Sequence, residues 1–188
     1  MKIVGAVGHI GSGKDTVIQY ISKECSMPIL SIGDIARNIA RNDGLPETRE
    51  NLQKITEKYY EKFGRSYFID ETIRKIKRAN HDGILITGVR APTDVTTLRK
   101  QFHDDFTLLC VTAPRKIRFQ RLLARREPRD PKTWGEFLRQ DRNEKKIFQL
   151  TKTCKLADHR INNDESVEKL FQKIDKIIKE KVSNSTAI

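Results

Sequence analysis

The first twenty residues restrict the fold of this chain more than any other stretch. Ile3 to Val7 is an apolar run with the length of a buried strand, Gly8 to Thr16 is rich in glycine, and Val17, Ile18 and Ile21 follow at helical spacing. A strand, a glycine-rich turn and a helix in this order form the context that a phosphate-binding loop requires. The stretch therefore predicts an α/β domain with a site for nucleotide phosphates.

The residue types of this loop suit phosphate chemistry. Gly8, Gly13 and Lys14 meet the spacing G-x-x-x-x-G-K, in which backbone N–H groups turn toward phosphate oxygens and the helix dipole adds positive charge. Lys14 can reach the outer phosphates, and the Thr16 hydroxyl is available to a phosphate or to Mg²⁺. Asp15 stands where a hydroxyl residue usually follows the lysine. The residues predicted to bind the nucleotide are Gly8, Gly11, Ser12, Gly13, Lys14, Asp15 and Thr16. The alternative is a glycine-rich turn without a ligand.

Four further apolar runs predict strands at 28–32, 84–87, 106–111 and 157–162. Helical spacing or a helix-start signal predicts helices between them: after Gly33, at 48–64, 67–78, 94–102 and 114–125, from Thr133 onward, and from Val167 to a tail that frays after Ser183. The short strands are apolar without alternation, which is typical of a parallel sheet covered on both faces. We expect ligands at the carboxyl edge of this sheet.

Length and composition favour one domain of an ordinary class. The 188 residues are 37% hydrophobic and 33% charged, and no apolar run has the length of a membrane span. The three cysteines are scattered, which argues against a disulfide framework and a zinc site and favours a reducing cytoplasm. We expect no membrane partner.

The net charge of +12 is concentrated in one segment. Residues 115–146 contain 12 Lys or Arg and five Asp or Glu, a difference of +7, and eight of the 12 are arginines. Arginine is suited to forked contacts with phosphate. The segment therefore favours small nucleotides or nucleic acid as ligands, whereas the alternative is a solvated helix face. Lys116 and Arg118 are expected to be exposed, and His9 to be a spacer in the loop.

Several motifs resemble one enzyme family. Residues 31–37, S-I-G-D-I-A-R, follow the second predicted strand and resemble the S-T-G-D-x-x-R segment of adenylate kinases and related nucleoside monophosphate kinases. The loop G-S-G-K-D-T is similar to their G-x-G-K-G-T, and residues 88–90, G-V-R, resemble their G-F-P-R without the proline. The resemblance implies that the acceptor is bound by Gly33, Asp34, Arg37, Gly88 and Arg90.

The basic segment fits the same family. Pro114 followed by Arg121 and Arg125 has the spacing of the two arginines before the lid of these kinases, and Arg139 and Arg142 are candidates for its later arginines. The resemblance thus implies a P-loop kinase fold over 1–188, a single α/β domain with a five-stranded parallel sheet. Its core would comprise 1–31, 83–125 and 147–183, with a helical acceptor-binding insert at 32–82 and a short lid at 126–146.

Two features depart from adenylate kinases. Thr87 occupies the place of the acid that precedes their G-F-P-R, so a metal would depend on Thr16 and on Asp34, or on Asp15 if its side chain turns inward. Residues 157–170 are similar to dephospho-coenzyme A kinases, which implies that Asn163 lies at the bound nucleotide. The stretch D-P-K-T-W at 130–134 is similar to archaeal nucleotide-kinase-like proteins, which is the nearest of these likenesses.

The resemblance implies ATP-dependent phosphoryl transfer, with ATP and Mg²⁺, to a small phosphorylated acceptor, foremost a (deoxy)nucleoside monophosphate. The residues expected to be catalytic are Lys14, Asp34, Arg121, Arg125, Arg139 and Arg142. Two alternatives remain open. One is a dephospho-coenzyme A kinase, which would need a general base such as Asp34. The other, less favoured, is a nucleic-acid-binding factor that binds or slowly hydrolyses ATP.

Overall fold

The computed structural model describes residues 1–79 and 81–183. Its sheet has five parallel strands in the order β2-β3-β1-β4-β5. The strands are β1 (Lys2–Val7), β2 (Ile29–Ser31), β3 (Gly83–Thr87), β4 (Phe106–Thr112) and β5 (His159–Asn162). The prediction of a five-stranded parallel sheet is confirmed, and each predicted strand overlaps an observed one.

Nine α-helices join these strands within the described residues. They are α1 (Lys14–Cys25), α2 (Gly33–Asn42), α3 (Arg49–Phe63), α4 (Tyr67–Arg78), α5 (Pro92–Phe102), α6 (Arg115–Arg125), α7 (Trp134–Phe148), α8 (Leu150–Lys155) and α9 (Val167–Ser183). The sequence did not indicate α8 as a separate helix. The predicted frayed tail begins at Ser183, which is the last residue of α9, and residues 184–188 lie outside the described residues.

Helices cover both faces of the sheet, as predicted. On one face, Val17, Ile18 and Ile21 of α1 and Leu170 and Ile174 of α9 pack on alternate strand residues. On the other face, the insert helices, α5 and α8 pack on the strand residues between them. Because successive side chains of a strand point to opposite faces, the unbroken apolar strands supply both cores.

The three helices α2, α3 and α4 stand between β2 and β3. They pack into the same core as the sheet through Ile35, Ile55, Phe68 and Ile69. Side chains in contact with this core include Leu52, Tyr59 and Tyr60. The insert is therefore fixed to the sheet through a shared core, at the edge where β2 and β3 end.

The turns after β1, β2 and β3 open at one edge of the sheet. The turn after β3 approaches the start of α2 closely: Gly88 has a φ of 84°, and a Cβ there would lie 3.3 Å from the Gly33 nitrogen. A side chain at Gly88 would separate the two turns. Among the described helices, none is long and apolar enough to cross a membrane.

Candidate active site

The glycine-rich loop is enclosed on three sides by backbone and side-chain atoms. A Cβ at Gly8 would lie 2.4 Å from the Val111 carbonyl oxygen, one at Gly11 would lie 2.5 Å from the Arg118 carbonyl oxygen, and one at Gly13 would lie 2.2 Å from Asn163 Nδ2. Gly11 and Gly13 also have positive φ values of 73° and 90°. Only glycine fits these positions, because a side chain would displace the loop.

A polar bridge from the far end of the chain holds the end of the loop. Asn163 Nδ2 donates to the Ser12 carbonyl at 2.8 Å. Arg121 donates from Nη1 to the Asn163 carbonyl at 3.0 Å and from Nη2 to Asn163 Oδ1 at 3.2 Å. Asn163 therefore fastens the loop and orients Arg121, and it is buried beneath the loop.

A buried ion pair holds the middle of the loop. Arg118 donates from Nη1 to the Ile10 carbonyl at 3.0 Å and to Asp141 Oδ1 at 2.8 Å, and from Nη2 to Asp141 Oδ2 at 3.2 Å. His9 Nδ1 lies 3.0 Å from the same carboxylate. The expectation that Arg118 is exposed is wrong, since the residue is 4% exposed. Its partner Asp141 on α7 compensates the burial of its charge.

The environment of Asp141 keeps this pair ionised. Burial alone would raise the pKa of its carboxyl, but the hydrogen bonds with His9 and Arg118 and their charges hold that pKa well below its ordinary value. His9 is thus bonded to α7 instead of acting only as a spacer, and α7 is tied directly to the loop.

Lys14 lies where the loop enters α1. Its side chain is half-buried and lies 3.7 Å from Asp15. Burial lowers the pKa of Lys14, while the charges of Asp15 and Glu144 oppose that shift. Asp15 and Thr16 are exposed at the start of α1. Ser12 Oγ is buried and has no hydrogen-bond partner within the described part of the chain. The loop thus offers a cation, a free hydroxyl and an orphaned polar atom.

The predicted acceptor residues of α2 form a cluster of their own. Arg37 donates from Nε to Asp34 Oδ1 at 2.9 Å, and its Nη2 bonds both Asp34 and, at 3.0 Å, Ser31 Oγ. Asp34 is exposed, so this pair can open when an anion arrives. A Cβ at Gly33 would lie 3.2 Å from Arg37 Nη1, and the absence of a side chain there makes room for the guanidinium.

Arg90 is held by two residues of α7. Its guanidinium lies 4.9 Å from the ring centroid of Phe148 and 3.7 Å from Glu144 Oε1. The same carboxylate oxygen also accepts from Arg49 Nη1 at the start of α3. Burial lowers the pKa of Arg49, and the charge of Glu144 opposes that shift. Two arginines from different elements therefore share one buried carboxylate.

Arg125 is also tied to an acid of the following turn. It donates from Nε to Asp130 Oδ2 at 2.9 Å and from Nη2 to Asp130 Oδ1 at 2.5 Å. Asp130 is buried. The two-point contact fixes the planar guanidinium at the mouth of the site.

One cleft of about 790 Å³ collects most of these groups. Its walls carry seven Lys or Arg and four Asp or Glu. The cations are Lys14, Arg37, Arg49, Arg90, Arg121, Arg125 and Arg129, and the acids are Asp15, Asp34, Glu127 and Glu144. Gly8, Gly11, Gly13, Thr16, Gly33 and Gly88 also line it. The excess of positive charge suits a ligand rich in phosphate.

A smaller cavity of about 80 Å³ opens beside the cleft. Its other walls are mostly side chains of the insert and α7, namely Ala36, Leu52, Gln53, Thr56, Tyr60, Phe68 and Phe148. Six residues line both spaces, Gly33, Arg37, Arg49, Gly88, Arg90 and Arg129. A ligand whose anionic group is held by the shared arginines can therefore place an apolar portion in the smaller cavity.

Four predicted site residues do not line the cleft. Arg139 and Arg142 are exposed on α7, and Ser12 and Asn163 are buried. The buried residues of α7 are Phe137, Asp141, Glu144 and Phe148, and the two acids among them are one and two positions from Arg142. The geometry thus gives no support to catalytic roles for Arg139 and Arg142, and we do not carry those roles forward.

Sequence reasoning missed Arg49, Glu144 and Asp141. Arg49 follows Thr48, whose hydroxyl caps α3, and nothing local distinguishes it from an exposed arginine. Its partner Glu144 is 95 positions away in the chain. The only available signal was the helical spacing of Phe137, Asp141, Glu144 and Phe148, which places the two acids on the apolar stripe of α7.

Known proteins provide a separate comparison. The family model described as AAA domain matches residues 7–139. A UPF0200 protein of Pyrococcus horikoshii is 35% identical over 186 residues, which cover 97% of this chain and 98% of that protein. A UPF0200/UPF0201 protein of Archaeoglobus fulgidus is 31% identical over 180 residues, 95% of this chain but 55% of that longer protein.

Solved structures with the same fold include several kinases. TT1252 from Thermus thermophilus superposes with a TM-score of 0.64 at 21% identity, covering 95% of this chain and 97% of that one. Shikimate kinase from Acinetobacter baumannii has a TM-score of 0.58 at 17% identity, covering 99% and 96%. These likenesses establish the P-loop kinase fold, and the predicted likeness to archaeal nucleotide-kinase-like proteins is confirmed by the UPF0200 relatives. The chain belongs to the UPF0200 family.

Proposed function

We propose that this protein transfers a phosphoryl group from ATP to a small phosphorylated acceptor, foremost a (deoxy)nucleoside monophosphate. One observation carries the proposal: a single cleft is lined both by the glycine-rich loop with Lys14 and by Arg37 and Arg90. Phosphoryl transfer needs positioning and charge stabilisation more than covalent chemistry. A cleft lined by several cations provides that for two anionic molecules.

The loop fits the triphosphate of a nucleotide. Gly8, Gly11 and Gly13 line the cleft and have no side chains that could block the approach of a phosphate to the loop backbone. The first N–H groups of α1 have no acceptor within the helix, and no side chain among the described residues caps that end. These donors and Lys14 would hold the outer phosphates of the donor.

Magnesium would depend on the nucleotide for most of its ligands. Among the described residues there is no group of three or more His, Cys, Asp or Glu that could hold a metal ion. Mg²⁺ keeps several waters and is commonly bound by one or two protein groups together with substrate phosphates. The exposed Thr16 hydroxyl is our first choice as a protein ligand, and Asp34 is the second because Arg37 already occupies its carboxylate. The ion would neutralise phosphate charge.

Arg121 and Arg125 are the groups we assign to the transferring phosphate. Both line the cleft together with the loop, and each is held by a further contact, Arg121 by Asn163 and Arg125 by Asp130. A guanidinium already oriented by the protein stabilises developing charge without further rearrangement.

A panel of acceptors with ATP labelled in its γ-phosphate tests the proposal. We expect label in a nucleoside diphosphate. Label in coenzyme A would assign a hydroxyl acceptor, with Asp34 as the candidate base. Label only in free phosphate, unchanged by any acceptor, would leave an ATPase or a nucleic-acid-binding factor and would refute the proposal.

Lys14→Ala, paired with Lys23→Ala, links the activity to the loop. Both lysines lie on α1, but Lys23 is exposed in its last turn. Loss of one well-placed cation typically costs about 3–4 kcal/mol in the transition state. We therefore expect turnover to fall roughly 10²- to 10³-fold in Lys14→Ala and to stay near the wild-type rate in Lys23→Ala, with far-UV circular dichroism unchanged in both. Wild-type turnover in Lys14→Ala would remove the lysine from the mechanism.

A further inference from the structure

Glu144 is the one buried acid among the residues that line the cleft. Its side chain is 5% exposed, although it faces a space lined by seven cations. A buried carboxylate is costly unless it is paired and hydrogen-bonded. The contacts of Glu144 therefore indicate what holds it there.

Its partners are two arginines from separate elements. Oε1 accepts from Arg49 Nη1 of α3 and lies 3.7 Å from Arg90 Nη1, in the turn after β3. One carboxylate facing two guanidinium groups leaves one positive charge uncompensated. The two arginines also lie on the boundary between the cleft and the smaller cavity, because both line each space.

Phe148 completes the arrangement of Arg90. It lies one turn after Glu144 on α7, and the guanidinium of Arg90 lies 4.9 Å from its ring centroid. Arg90 is therefore fixed by an aromatic face and a carboxylate from the same helix. Arg49 is held on the other side of that carboxylate, and only its Nη1 is engaged by Glu144. Donors of both guanidinium groups remain for a ligand.

We propose that Arg49 and Arg90 form a paired binding site for the phosphate group of the acceptor, with Glu144 as the positioning residue that holds the pair. The proposal rests on the proposed function for the identity of the acceptor, and it adds Arg49 and Glu144 to the site. A dianionic phosphate bridges the two guanidinium groups, and their fixed planes favour forked contacts. The remainder of the acceptor extends toward the smaller cavity.

The alternative role for Glu144 is to repel the phosphate. A carboxylate close to a phosphate repels it, so removal of the charge would then tighten binding. The two roles predict opposite signs for Glu144→Gln. If Glu144 positions the arginines, the substitution weakens phosphate binding, because Arg49 and Arg90 lose the fixed geometry that suits the ligand.

Calorimetric titration of inorganic phosphate into protein saturated with the non-hydrolysable analogue AMP-PNP measures this site without turnover. We expect Arg49→Gln to weaken phosphate binding roughly 10- to 100-fold, the range for loss of a charge-assisted hydrogen bond. Glu144→Gln should weaken it less, and Glu144→Asp should recover part of the loss. AMP-PNP binding should change less than phosphate binding does, since the substitutions alter charge near Lys14 but remove no contact with the loop.

Matched controls come from the same helix as Arg49. Lys54 and Glu50 form an exposed ion pair on α3, and Lys54→Gln and Glu50→Gln should bind phosphate like the wild type. In the double variant Arg49→Gln/Glu144→Gln, the second substitution should add little, because Glu144 acts largely through Arg49. Arg49→Lys keeps the charge and the ion pair, so it folds even if Arg49→Gln does not, and it should lose affinity through the missing fork.

Two results would overturn the inference: unchanged phosphate binding in both Arg49→Gln and Arg49→Lys, or tighter binding in Glu144→Gln. Steady-state kinetics with the acceptor found in the panel give a second readout, a raised KM for the acceptor with the KM for ATP unchanged. If no acceptor is phosphorylated but phosphate binding still depends on Arg49, the proposed function fails and this site stands. If phosphoryl transfer occurs but Arg49→Gln changes neither phosphate binding nor the KM for the acceptor, the proposed function stands and this site fails.

Discussion

Buried charged residues in this protein are stabilised in two different ways. The charges of Arg118 and Asp141 compensate each other directly. Burial of either charge without its partner would lower the stability of the fold. Asp94 instead accepts hydrogen bonds from backbone groups: its Oδ2 accepts from the Arg90 nitrogen at 2.9 Å and the Ala91 nitrogen at 2.8 Å. These two bonds fix the turn after β3 and the start of α5, so Asp94 supports the position of Arg90 from below.

Asp94 should make stability depend on pH. Burial raises the pKa of its carboxyl from 3.8 to about 6, although the two backbone hydrogen bonds lower it. Because the folded state holds the proton more tightly, this contribution to stability is full below about pH 4 and is lost as the pH rises through about 6. Asp94→Asn keeps an oxygen acceptor and cannot ionise. We expect the difference in the free energy of unfolding between the variant and the wild type to shift by about 3 kcal/mol in favour of the variant between pH 4 and pH 7.

Urea unfolding of both proteins at a series of pH values measures this difference. Asp43→Asn, at an exposed aspartate after α2, is the control and should follow the wild type. A difference between wild type and Asp94→Asn that is constant with pH would contradict the prediction.

Individual residues were predictable where their role is local. Lys14 and the glycines follow from the spacing of the loop, and Arg37 and Arg90 from their motifs. Arg118 was not predictable, because its exposure depends on Asp141, 23 positions away on another helix. An arginine on an amphipathic helix is exposed by default. Only the three-dimensional packing of α6 on α7 reverses that expectation.

At the scale of elements, the loop between β1 and α1 is shaped by the elements around it. A side chain at its glycines would clash with the carbonyl oxygens of Val111 on β4 and Arg118 on α6, and with Asn163 after β5. Strands β1 and β4 pair in register from Ile3 with Phe106 to Val7 with Cys110, which fixes the distance between the loop and Val111. The geometry of the phosphate site is thus set by the whole carboxyl edge of the sheet.

Gly11→Ala and Gly135→Ala form a matched pair that tests this enclosure. Gly11 has a φ of 73° and would place a Cβ 2.5 Å from a carbonyl oxygen, whereas a Cβ at Gly135 in α7 would meet nothing within 4 Å. We expect Gly11→Ala to lower stability by about 1–2 kcal/mol and ADP affinity at least about tenfold. Gly135→Ala should raise stability by roughly 0.5–1 kcal/mol.

Chemical denaturation and calorimetric titration of ADP give these two quantities. Equal ADP affinity in the two variants would show that the loop tolerates a side chain and that its enclosure does not control binding.

Element prediction succeeded where apolar spacing is strong and failed where a helix is interrupted without a breaker. All five strands follow from short apolar runs, most of the longer helices follow from helical apolar spacing, and α7 follows from its helix-start signal at Thr133. The boundary between α7 and α8 lies at Gln149, which has a φ of 51°, and neither glycine nor proline marks it. A left-handed residue of this kind is held by tertiary contacts, so no local pattern marks the start of α8.

For the whole molecule, the net charge of +12 has two separate consequences. Part of it lines the cleft and acts on small ligands at short range, where salt screens it weakly. The rest is exposed, for example Lys116 of α6 and Arg139 and Arg142 of α7, and acts at long range through solvent. The exposed charge alone can attract nucleic acid without a specific site.

The salt concentration should distinguish ligand binding in the cleft from long-range attraction by the exposed charge. We expect any binding of a single-stranded oligonucleotide to fall at least about tenfold between 50 and 200 mM salt, because released counterions drive it, and to be unchanged in Lys14→Ala. AMP-PNP binding should depend less on salt and be lost in that variant. Oligonucleotide binding that resists salt and requires Lys14 would favour the nucleic-acid alternative; filter binding and calorimetry measure both.

The bond from Asn163 to the Ser12 carbonyl joins positions 151 apart in the chain. During synthesis the chain emerges from its amino end, so the first loop is made long before the residue that fastens it. A nascent chain that ends before residue 163 lacks both that bond and the contact that orients Arg121. The loop therefore reaches the geometry described here only after the strand that precedes Asn163 has been made.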